Sequence, residues 1–466
     1  MNISLNFKSP LHRAILLLLV IVISLSVVSC DEKVLDKSDI ADNISSSDSS
    51  KKTYEYVADY LRSWGIKNFD LEKVVYFERV YRAYYGYENG MPDTLEHAKK
   101  TAEAFIEEYY DVIDLNDKTQ LTDAILTCYS RTIGDPYSIY RVPEQSDEYN
   151  MDMSGKFGGI GVEVIIDGVK NTITVNSVFI DSPAEKAGMR AGDEIRAVNG
   201  ISVEEIGLNN VVYHMRGDIG TAVTIVVKRG DELISLNIVR DVITEISANY
   251  TILEGNIGYL RVSTFKENTY AQFVACVDAL ESAGVDGIIM DVRLNGGGYV
   301  KTACDMISYL IPNDHTIVSY QYQNQLPTVI KSQDDVHPTK KNEDGTPLVE
   351  DHVLNIPIVV LCDENTASSA EIFTAAIRDH RNERLIDATI VGTTTYKKGI
   401  IQATYLYRAD NSTVTFTIAY YNPPCGTNFH GVGISPDVEV HNSETEDLQY
   451  IAALEELNKL INANNN

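Results

Sequence analysis

Residues 356–380 read IPIVVLCDENTASSAEIFTAAIRDH. The first part, IPIVVLC, is apolar and rich in β-branched residues, which predicts a strand that is buried on both faces. The last part, AEIFTAAIRDH, has apolar residues at spacings of three and four, which predicts an amphipathic helix. A second pair of this kind is GIIMDVR at 287–293 and YVKTACDMISYLI at 299–311. Strands that alternate with helices along the chain indicate an α/β core.

The pattern of the chain changes outside this core, and we predict a multidomain α+β protein. The core occupies 243–466 and closes with a helix at 445–461, whereas the polar, proline-containing stretch 321–355 is predicted to be a loop or an insertion. Short β-branched runs between glycine turns predict a small β-rich domain at 150–242. Apolar residues at helical spacing predict an N-terminal helical domain at 54–148.

The start of the chain predicts export. A short basic segment precedes an apolar run at 14–28, which is shorter than the roughly 20 residues that a membrane span needs. Residues 1–30 resemble a bacterial lipoprotein signal peptide, in which Cys30 would carry a lipid that anchors the protein to the membrane. An ordinary export signal with a chance cysteine is the alternative. The polar stretch 31–53 predicts a flexible tether, and the expected location is the bacterial cell envelope, on the periplasmic side or the cell surface.

Charge and composition argue against several kinds of partner. The net charge of the whole chain is −28, whereas proteins that bind nucleic acid through its phosphates need clustered Lys and Arg. The 9 histidines show no metal-ligand spacing, so neither a metal nor another cofactor is expected. The cysteines after Cys30 are interpreted as mostly buried thiols, with one disulfide left open. They are Cys128, Cys276, Cys304, Cys362 and Cys425.

Ser368 lies where the predicted strand 356–362 turns into a helix. This arrangement exposes a nucleophile at the end of a strand, beside the free amides of a helix N-terminus, and it suits acyl transfer. The same residues also fit a capping box, in which Ser368 accepts a backbone hydrogen bond and Glu371 lies three positions later. Taken alone, the pattern does not separate a nucleophile from a helix cap.

A general base for Ser368 is predicted in TTYKKGIIQ at 394–402. Lys398 and Gln402 share one face of an extended segment because side chains alternate, whereas Lys397 points to the other face. A lysine acts as a base only if burial or a positive neighbour lowers its pKa to about 7–8. We therefore predict that Lys398 is the base, that Gln402 orients its amine, and that Lys397 supplies part of the perturbation.

The oxyanion of a tetrahedral intermediate needs N–H donors that are aimed at it. Two candidates follow the predicted strands: the amide of Ser369, next to the nucleophile, and the amide of Gly297 in the turn 295–298. Glycine-rich turns also cradle phosphates, but neither GxGxxG nor GK[ST] occurs here. A nucleotide site is therefore not expected.

The domain at 150–242 carries two motifs whose spacing resembles that of a PDZ domain. Residues 157–162 read FGGIGV, and residues 182–200 read SPAEKAGMRAGDEIRAVNG. In a PDZ domain the glycine-rich loop presents N–H groups to the terminal carboxylate of a peptide, which is captured as an added strand. The predicted peptide-binding residues are Gly158, Gly159, Ile160 and Gly161.

Together these segments resemble the carboxyl-terminal processing peptidases, also called tail-specific proteases. The matching segments, in the family's order, are GDPYSIY (134–140), DVRLNGGG (291–298), ENTASSAEIF (364–373), TYKKGIIQ (395–402) and GVGISPDVEV (431–440). The resemblance implies a ClpP/crotonase-like serine peptidase core that cleaves exported proteins near their free C-termini without a cofactor. It also implies a dyad of Ser368 and Lys398 assisted by Gln402, with an oxyanion hole at Gly297 and Ser369.

Departures from the family pattern leave alternatives open. Lys397 stands where the family usually has glycine and is a rival base, and Ser369 is a rival nucleophile. A Ser-His-Asp triad that uses His430 or His380 is a further alternative, because triads assemble from distant positions. Two other functions compete: a catalytically silent lipoprotein that binds peptides through the PDZ-like domain, and an esterase or amidase that acts on cell-envelope material with the same dyad.

Overall fold

The computed structural model describes residues 32–33, 62, 66–87, 90, 92, 94–167, 172–322, 326–333, 335–342, 346–443 and 445–464. The predicted signal peptide, its Cys30 and most of the tether lie outside these residues. Among the helices that are described, none has the length and apolar character that crossing a bilayer requires. The described chain divides into two compact units, one of residues 150–246 and one of the residues on either side.

The larger unit begins with helices that share a core with the strands that follow. Its first elements are β1 (Glu32–Lys33), α1 (Leu71–Tyr84), α2 (Thr94–Glu108), α3 (Lys118–Thr132), β2 (Ile139–Arg141) and α4 (Pro143–Met153). Asp70 and Asp117 begin α1 and α3, and each carboxylate accepts two backbone N–H groups of the first turn. Tyr81 of α1 stacks on Phe416 with ring centroids 4.4 Å apart, so aromatic packing joins this helix to the sheet.

The smaller unit is a β-sheet with short helices. Its elements are β3 (Lys156–Gly159), β4 (Val162–Asp167), β5 (Thr172–Val178), α5 (Pro183–Lys186), β6 (Glu194–Val198), β7 (Ile201–Ser202), α6 (Val203–Ile206), α7 (Leu208–Met215), β8 (Ala222–Arg229), β9 (Glu232–Val239) and β10 (Asp241–Thr244). The described strands run in the order β4-β5-β6-β8-β9, β7 pairs with β6, and β3 pairs with β10. Alternate residues of β8 are buried, as expected for a strand with one face on a core. Strand β4 lies at an edge of this sheet.

The rest of the larger unit is an α/β core. It contains β11 (Ala248–Leu253), β12 (Ile257–Val262), α8 (Thr269–Ala283), β13 (Gly287–Asp291), α9 (Val300–Ser308), β14 (Thr316–Tyr322), β15 (Thr328–Lys331), β16 (Asp335–Lys341), β17 (Pro347–Glu350), β18 (Ile358–Cys362), α10 (Ser369–Asn382), β19 (Ala388–Gly392), β20 (Ile400–Tyr407), β21 (Ser412–Asn422), β22 (Val438–Glu439) and α11 (Leu448–Asn464). One sheet has the order β11-β12-β13-β18-β19-β22 and is parallel from β12 onward. The other has the order β1-β20-β21-β14-β15, with β2 on β21. Every residue of β13 and β18 is buried, which explains their uniformly apolar sequences.

The sequence predicts a loop or an insertion over 321–355, and the loop alternative is wrong for much of that stretch. Strand β15 pairs with β14, and β16 forms an antiparallel pair with β17. The prolines occupy positions that a strand tolerates: Pro327 precedes β15, Pro347 is the first residue of β17, and Pro338 lies in a pair with an irregular register. These hairpins carry no apolar run because they are not strands of a buried parallel sheet, so the pattern in the sequence did not identify them.

Candidate active site

Ser368 occupies a strained turn between β18 and α10. Its backbone has φ 56° and ψ −119°, a conformation that residues other than glycine rarely adopt and that is typical of a strand-turn-helix nucleophile. The residue is 1% exposed, and its Oγ has no hydrogen-bond partner among the described residues. The Glu371 carboxylate does accept the Ser368 N–H at 2.9 Å. The residues thus form a capping box in outline, but the Glu371 N–H donates to the Ser368 carbonyl at 2.8 Å, so helix capping does not account for the hydroxyl.

Ser369, the residue after the proposed nucleophile, has a structural role. Ser369 is fully buried, and its Oγ donates a hydrogen bond to the carbonyl of Gly298 at 2.7 Å. This contact ties the start of α10 to the glycine-rich turn after β13. Because a backbone carbonyl is not a general base and this hydrogen bond holds the Ser369 proton away from one, the arrangement favours Ser368 over Ser369.

The structure brings Lys398 and Gln402 together. The Lys398 side chain is fully buried, and its Nζ donates to Gln402 Oε1 at 2.7 Å. Gln402 Nε2 in turn donates to the carbonyl of Tyr137 at 2.7 Å. Lys397, in contrast, is exposed. Because β20 begins only at Ile400, Lys398 reaches Gln402 from the loop before the strand and not from the strand itself.

Glu371 joins the segment of the serine to the segment of the lysine. Its carboxylate is fully buried and lies between the turn at Ser368 and the loop before β20. The groups that donate to it, at 2.6–2.9 Å, are the N–H groups of Ser368, Lys397 and Lys398 and the hydroxyl of Thr395. Burial raises the pKa of this carboxyl above its usual value, while the four donors act in the opposite direction. The sequence suggested only a helix-capping role for Glu371.

Tyr421 makes a second connection between the same two segments. Its hydroxyl lies 3.0 Å from the carbonyl oxygen of Ser368 and 2.8 Å from that of Lys398. Both backbone segments are therefore held by one buried carboxylate and one buried phenol. No pattern in the sequence singled out Tyr421, because a tyrosine in a predicted strand is most simply interpreted as a packing residue.

Of the two predicted oxyanion donors, the amide of Gly297 already donates to a side chain in this structure. A Cβ atom on Gly297 would lie 2.9 Å from Ser368 Cβ and 3.1 Å from Ser369 N, so the glycine turn packs directly against the nucleophile turn. The N–H of Gly297, however, donates to Asn295 Oδ1 at 2.9 Å. An oxyanion would have to displace this side chain, and the assignment of both amides stays a prediction. Sequence reasoning did not identify Asn295.

Among the described residues, neither histidine of the alternative triad is hydrogen-bonded to Ser368, whose Oγ has no partner. His380 lies 12 residues after Ser368 on α10, which is about 18 Å along a helix at about 1.5 Å per residue. The ring of His430 packs edge-on against Tyr87 and Tyr420. The five described cysteines are free thiols, of which four are buried. Burial raises the pKa of Cys362, at the end of β18, to about 12, so this thiol stays protonated at neutral pH.

The predicted peptide-binding glycines lie at the start of the smaller unit. Gly158 and Gly159 belong to β3 and pair with Val242 and Asp241 of β10. Gly161 makes the turn into β4. Its φ is +79°, and a Cβ atom at this position would clash with Ser182 Cβ. Both conformational freedom and close packing therefore require glycine there, and carboxylate binding by this loop stays a prediction.

Comparison with known proteins gives the family. Residues 256–440 match the model of peptidase family S41, and residues 174–229 match a PDZ domain. The carboxy-terminal processing protease CtpA of Bacillus subtilis (strain 168) is 33% identical over 355 residues, which are 76% of this chain and 70% of that protein. The chain belongs to the carboxy-terminal processing proteases of peptidase family S41. It is therefore a serine-type protease with a PDZ domain, and the predicted family resemblance and fold class are confirmed.

Other S41 proteins agree with this assignment. A probable CtpA-like serine protease of Staphylococcus haemolyticus (strain JCSC1435) is 30% identical over 359 residues, 77% of this chain and 68% of that protein. A crystal structure of a putative S41 protease from Bacteroides fragilis NCTC 9343 matches with a TM-score of 0.51 at 15% identity, over 82% of this chain and 97% of that one. At that identity the match supports the fold alone.

One departure from the S41 pattern has a structural cost. Lys397, where the family usually has glycine, has φ +84°, and a side chain in this left-handed region costs about 1–2 kcal/mol. We expect Lys397→Gly to raise the free energy of unfolding by up to about 1 kcal/mol, because relief of strain exceeds the extra entropy of glycine in the unfolded chain. The midpoint of urea unfolding would measure this. Lys397→Ala is the control, since it removes the charge but keeps Cβ; equal stabilisation by alanine would argue against strain.

Proposed function

We propose that this protein is a serine endopeptidase that cleaves exported or envelope proteins near their C-termini, with Ser368 as nucleophile and Lys398 as general base. Two buried groups carry the proposal: a Ser368 Oγ on a strained turn that has no hydrogen-bond partner within the described part of the chain, and a fully buried Lys398 amine. Glu371 accepts a backbone N–H from each of the two residues, which keeps the two segments together.

The proposed reaction proceeds through an acyl-enzyme. Ser368 Oγ attacks the carbonyl carbon of the scissile peptide bond while its proton moves to the neutral amine of Lys398. The resulting ammonium gives that proton to the leaving nitrogen as the C–N bond breaks, and water then hydrolyses the ester by the same route in reverse. The oxyanion is stabilised by the N–H of Ser369 and by that of Gly297 once Asn295 has turned away.

Burial explains how a lysine could act as a base in this site. Removing the side chain from water disfavours its charged form, and Lys398 is 0% exposed. Gln402 Oε1 accepts one hydrogen of the amine, which orients the nitrogen without adding a negative charge that would favour the ammonium. The exposed Lys397 has water available to stabilise its charge and is the weaker candidate.

The smaller unit is proposed to bind the free C-terminus of the substrate. Edge strand β4 can accept an added peptide strand, and the loop Gly158–Gly161 precedes it. Apolar residues of α7, including Val211 and Met215, share a core with Ile160 and Val162 beside this edge.

We further propose that Cys30 is lipidated and holds the protein at a membrane of the bacterial envelope, with protein or peptide substrates as its partners.

Covalent labelling tests the nucleophile. An alkyl fluorophosphonate forms a phosphorus–oxygen bond with an activated serine and releases fluoride, and we expect one label on the peptide that contains Ser368. Intact mass and peptide mapping would locate it. The label should still form in the Ser369→Ala variant and should be absent from the Ser368→Ala and Lys398→Met variants. A label on Ser369 would show that Ser369, and not Ser368, is the nucleophile. An unlabelled protein that still binds peptides would favour the catalytically silent, peptide-binding lipoprotein.

A further inference from the structure

The turn at 134–138 reaches the proposed active site from a distant part of the chain. Its carboxylate, Asp135, is 2% exposed and accepts the N–H of Tyr137 at 2.9 Å and the N–H of Thr417 at 3.1 Å. Thr417 of β21 lies directly opposite Gln402 of β20. Asp135 therefore fixes the turn against the strand position that faces Gln402.

Tyr137 makes two contacts with the pair formed by Lys398 and Gln402. Its carbonyl accepts Gln402 Nε2 at 2.7 Å, and the centroid of its ring lies 4.7 Å from Lys398 Nζ. Because the amide NH₂ faces this carbonyl, Oε1 must face the lysine amine; the flipped amide would place two oxygens against each other. The backbone of Tyr137 thus determines the orientation of Gln402, and its ring covers the amine.

We propose that Tyr137 is a further functional residue of the active site: its ring stabilises the Lys398 ammonium that forms when the base takes the Ser368 proton, and its carbonyl holds Gln402 in the orientation that accepts from Nζ. This inference rests on the proposed role of Lys398 as base. It gives a chemical role to the motif GDPYSIY, which neither the nucleophile nor the oxyanion hole uses.

The ring contact favours the charged form of the lysine. A cation within about 6 Å of a ring centroid gains about 0.5–1 kcal/mol when exposed and about 2 kcal/mol when desolvated, and Lys398 is fully buried. A neutral amine gains little from the ring quadrupole, so the contact strengthens as the proton moves and acts on the transition state. Three charged groups adjoin these residues: Glu371 accepts the Lys398 N–H, Asp135 accepts the Tyr137 N–H, and Lys397 precedes Lys398 in the chain. Burial raises the pKa of Tyr137 to about 12, so its phenol is neutral while the lysine titrates.

Substitution of the ring tests the proposal. Tyr137→Leu keeps apolar bulk and the backbone carbonyl but removes the π face, whereas Tyr137→Phe keeps the face and loses only the hydroxyl. We expect Tyr137→Leu to lower kcat about 10-fold, since about 1.4 kcal/mol corresponds to a factor of ten, with KM nearly unchanged. The acid limb of the pH–rate profile should move to lower pH, because a Lys398 ammonium that is less stabilised loses its proton at a lower pH. Tyr137→Phe should retain the kcat and the limb of the unaltered protein.

Controls separate this inference from its premise. Tyr109→Leu removes an aromatic ring that stacks on Phe105 at the end of α2 and should leave kcat and the pH profile unchanged. An unshifted acid limb in Tyr137→Leu, or equal losses in the leucine and phenylalanine variants, would overturn the role of the ring. Lys398→Met is assayed in parallel: if it is inactive while Tyr137→Leu behaves like the unaltered protein, only this inference fails. If Lys398→Met keeps its activity, the base itself has been misassigned.

Discussion

Lys398→Met should lower kcat for peptide cleavage by about 10²–10⁴-fold, the range that a positioned general base typically contributes. Methionine has nearly the length of lysine but no basic nitrogen, so Ser368 would keep its proton. The amine that it replaces is fully buried and donates to Gln402 Oε1. The loss would appear in initial rates with a fluorogenic peptide, and KM should change little because the amine acts on the reaction and not on binding.

The neighbouring lysine provides the matched control. Lys397→Met removes the same charge from the adjacent position. Because Lys397 is exposed, solvent screens its charge, so the perturbation of Lys398 expected from the sequence should be small and the rate should stay close to that of the unaltered protein. If Lys397→Met lost activity and Lys398→Met retained it, Lys397 would be the general base. Methionine at 398 also leaves Gln402 Oε1 without its donor, at a cost of about 1–3 kcal/mol, so folding of the variant must be verified by its circular dichroism spectrum.

Gly297→Ala is expected to reduce kcat by at least about 100-fold, the typical loss when an oxyanion donor is displaced. The added Cβ would lie 2.8 Å from the carbonyl oxygen of Ala367 and 2.9 Å from Ser368 Cβ. Since neither neighbour is the end of a flexible side chain, the glycine turn and the nucleophile turn must move apart. Steady-state kinetics with the same fluorogenic peptide would measure the loss.

A second glycine separates this clash from backbone strain. Gly426 has φ +77°, and a Cβ atom there would meet no atom within 4 Å. Gly426→Ala therefore imposes a left-handed alanine, which costs about 1–2 kcal/mol, without a steric clash. We expect it to lower stability while kcat stays close to normal. Equal losses of kcat in the two variants would mean that strain, and not the position of Gly297 against Ser368, explains the effect.

Apolar patterning predicted the buried part of the fold and failed where strands are exposed. Strands β13 and β18 and helix α10 follow directly from the runs GIIMD, IVVLC and AEIFTAAI, because a strand that is covered on both faces has no polar position. Strands β15 to β17 form antiparallel pairs, and they are short, contain or follow prolines, and have neither a long apolar run nor a regular alternation. Their pairing depends on backbone hydrogen bonds, which any sequence can make, so the polar composition suggested a loop.

The sequence by itself determined the α/β core, the order of the motifs and the candidates Ser368, Lys398 and Gln402, because strand-turn-helix patterns and short family motifs are local properties of the chain. Only the tertiary structure decided how these residues are held. Gln402 and Tyr137 are 265 positions apart in the chain, and Glu371 gathers donors from 24 to 27 positions away in the loop before β20. Such contacts carry no periodic signal in the sequence, since they exist only once the helical segment and the two sheets have packed into one core.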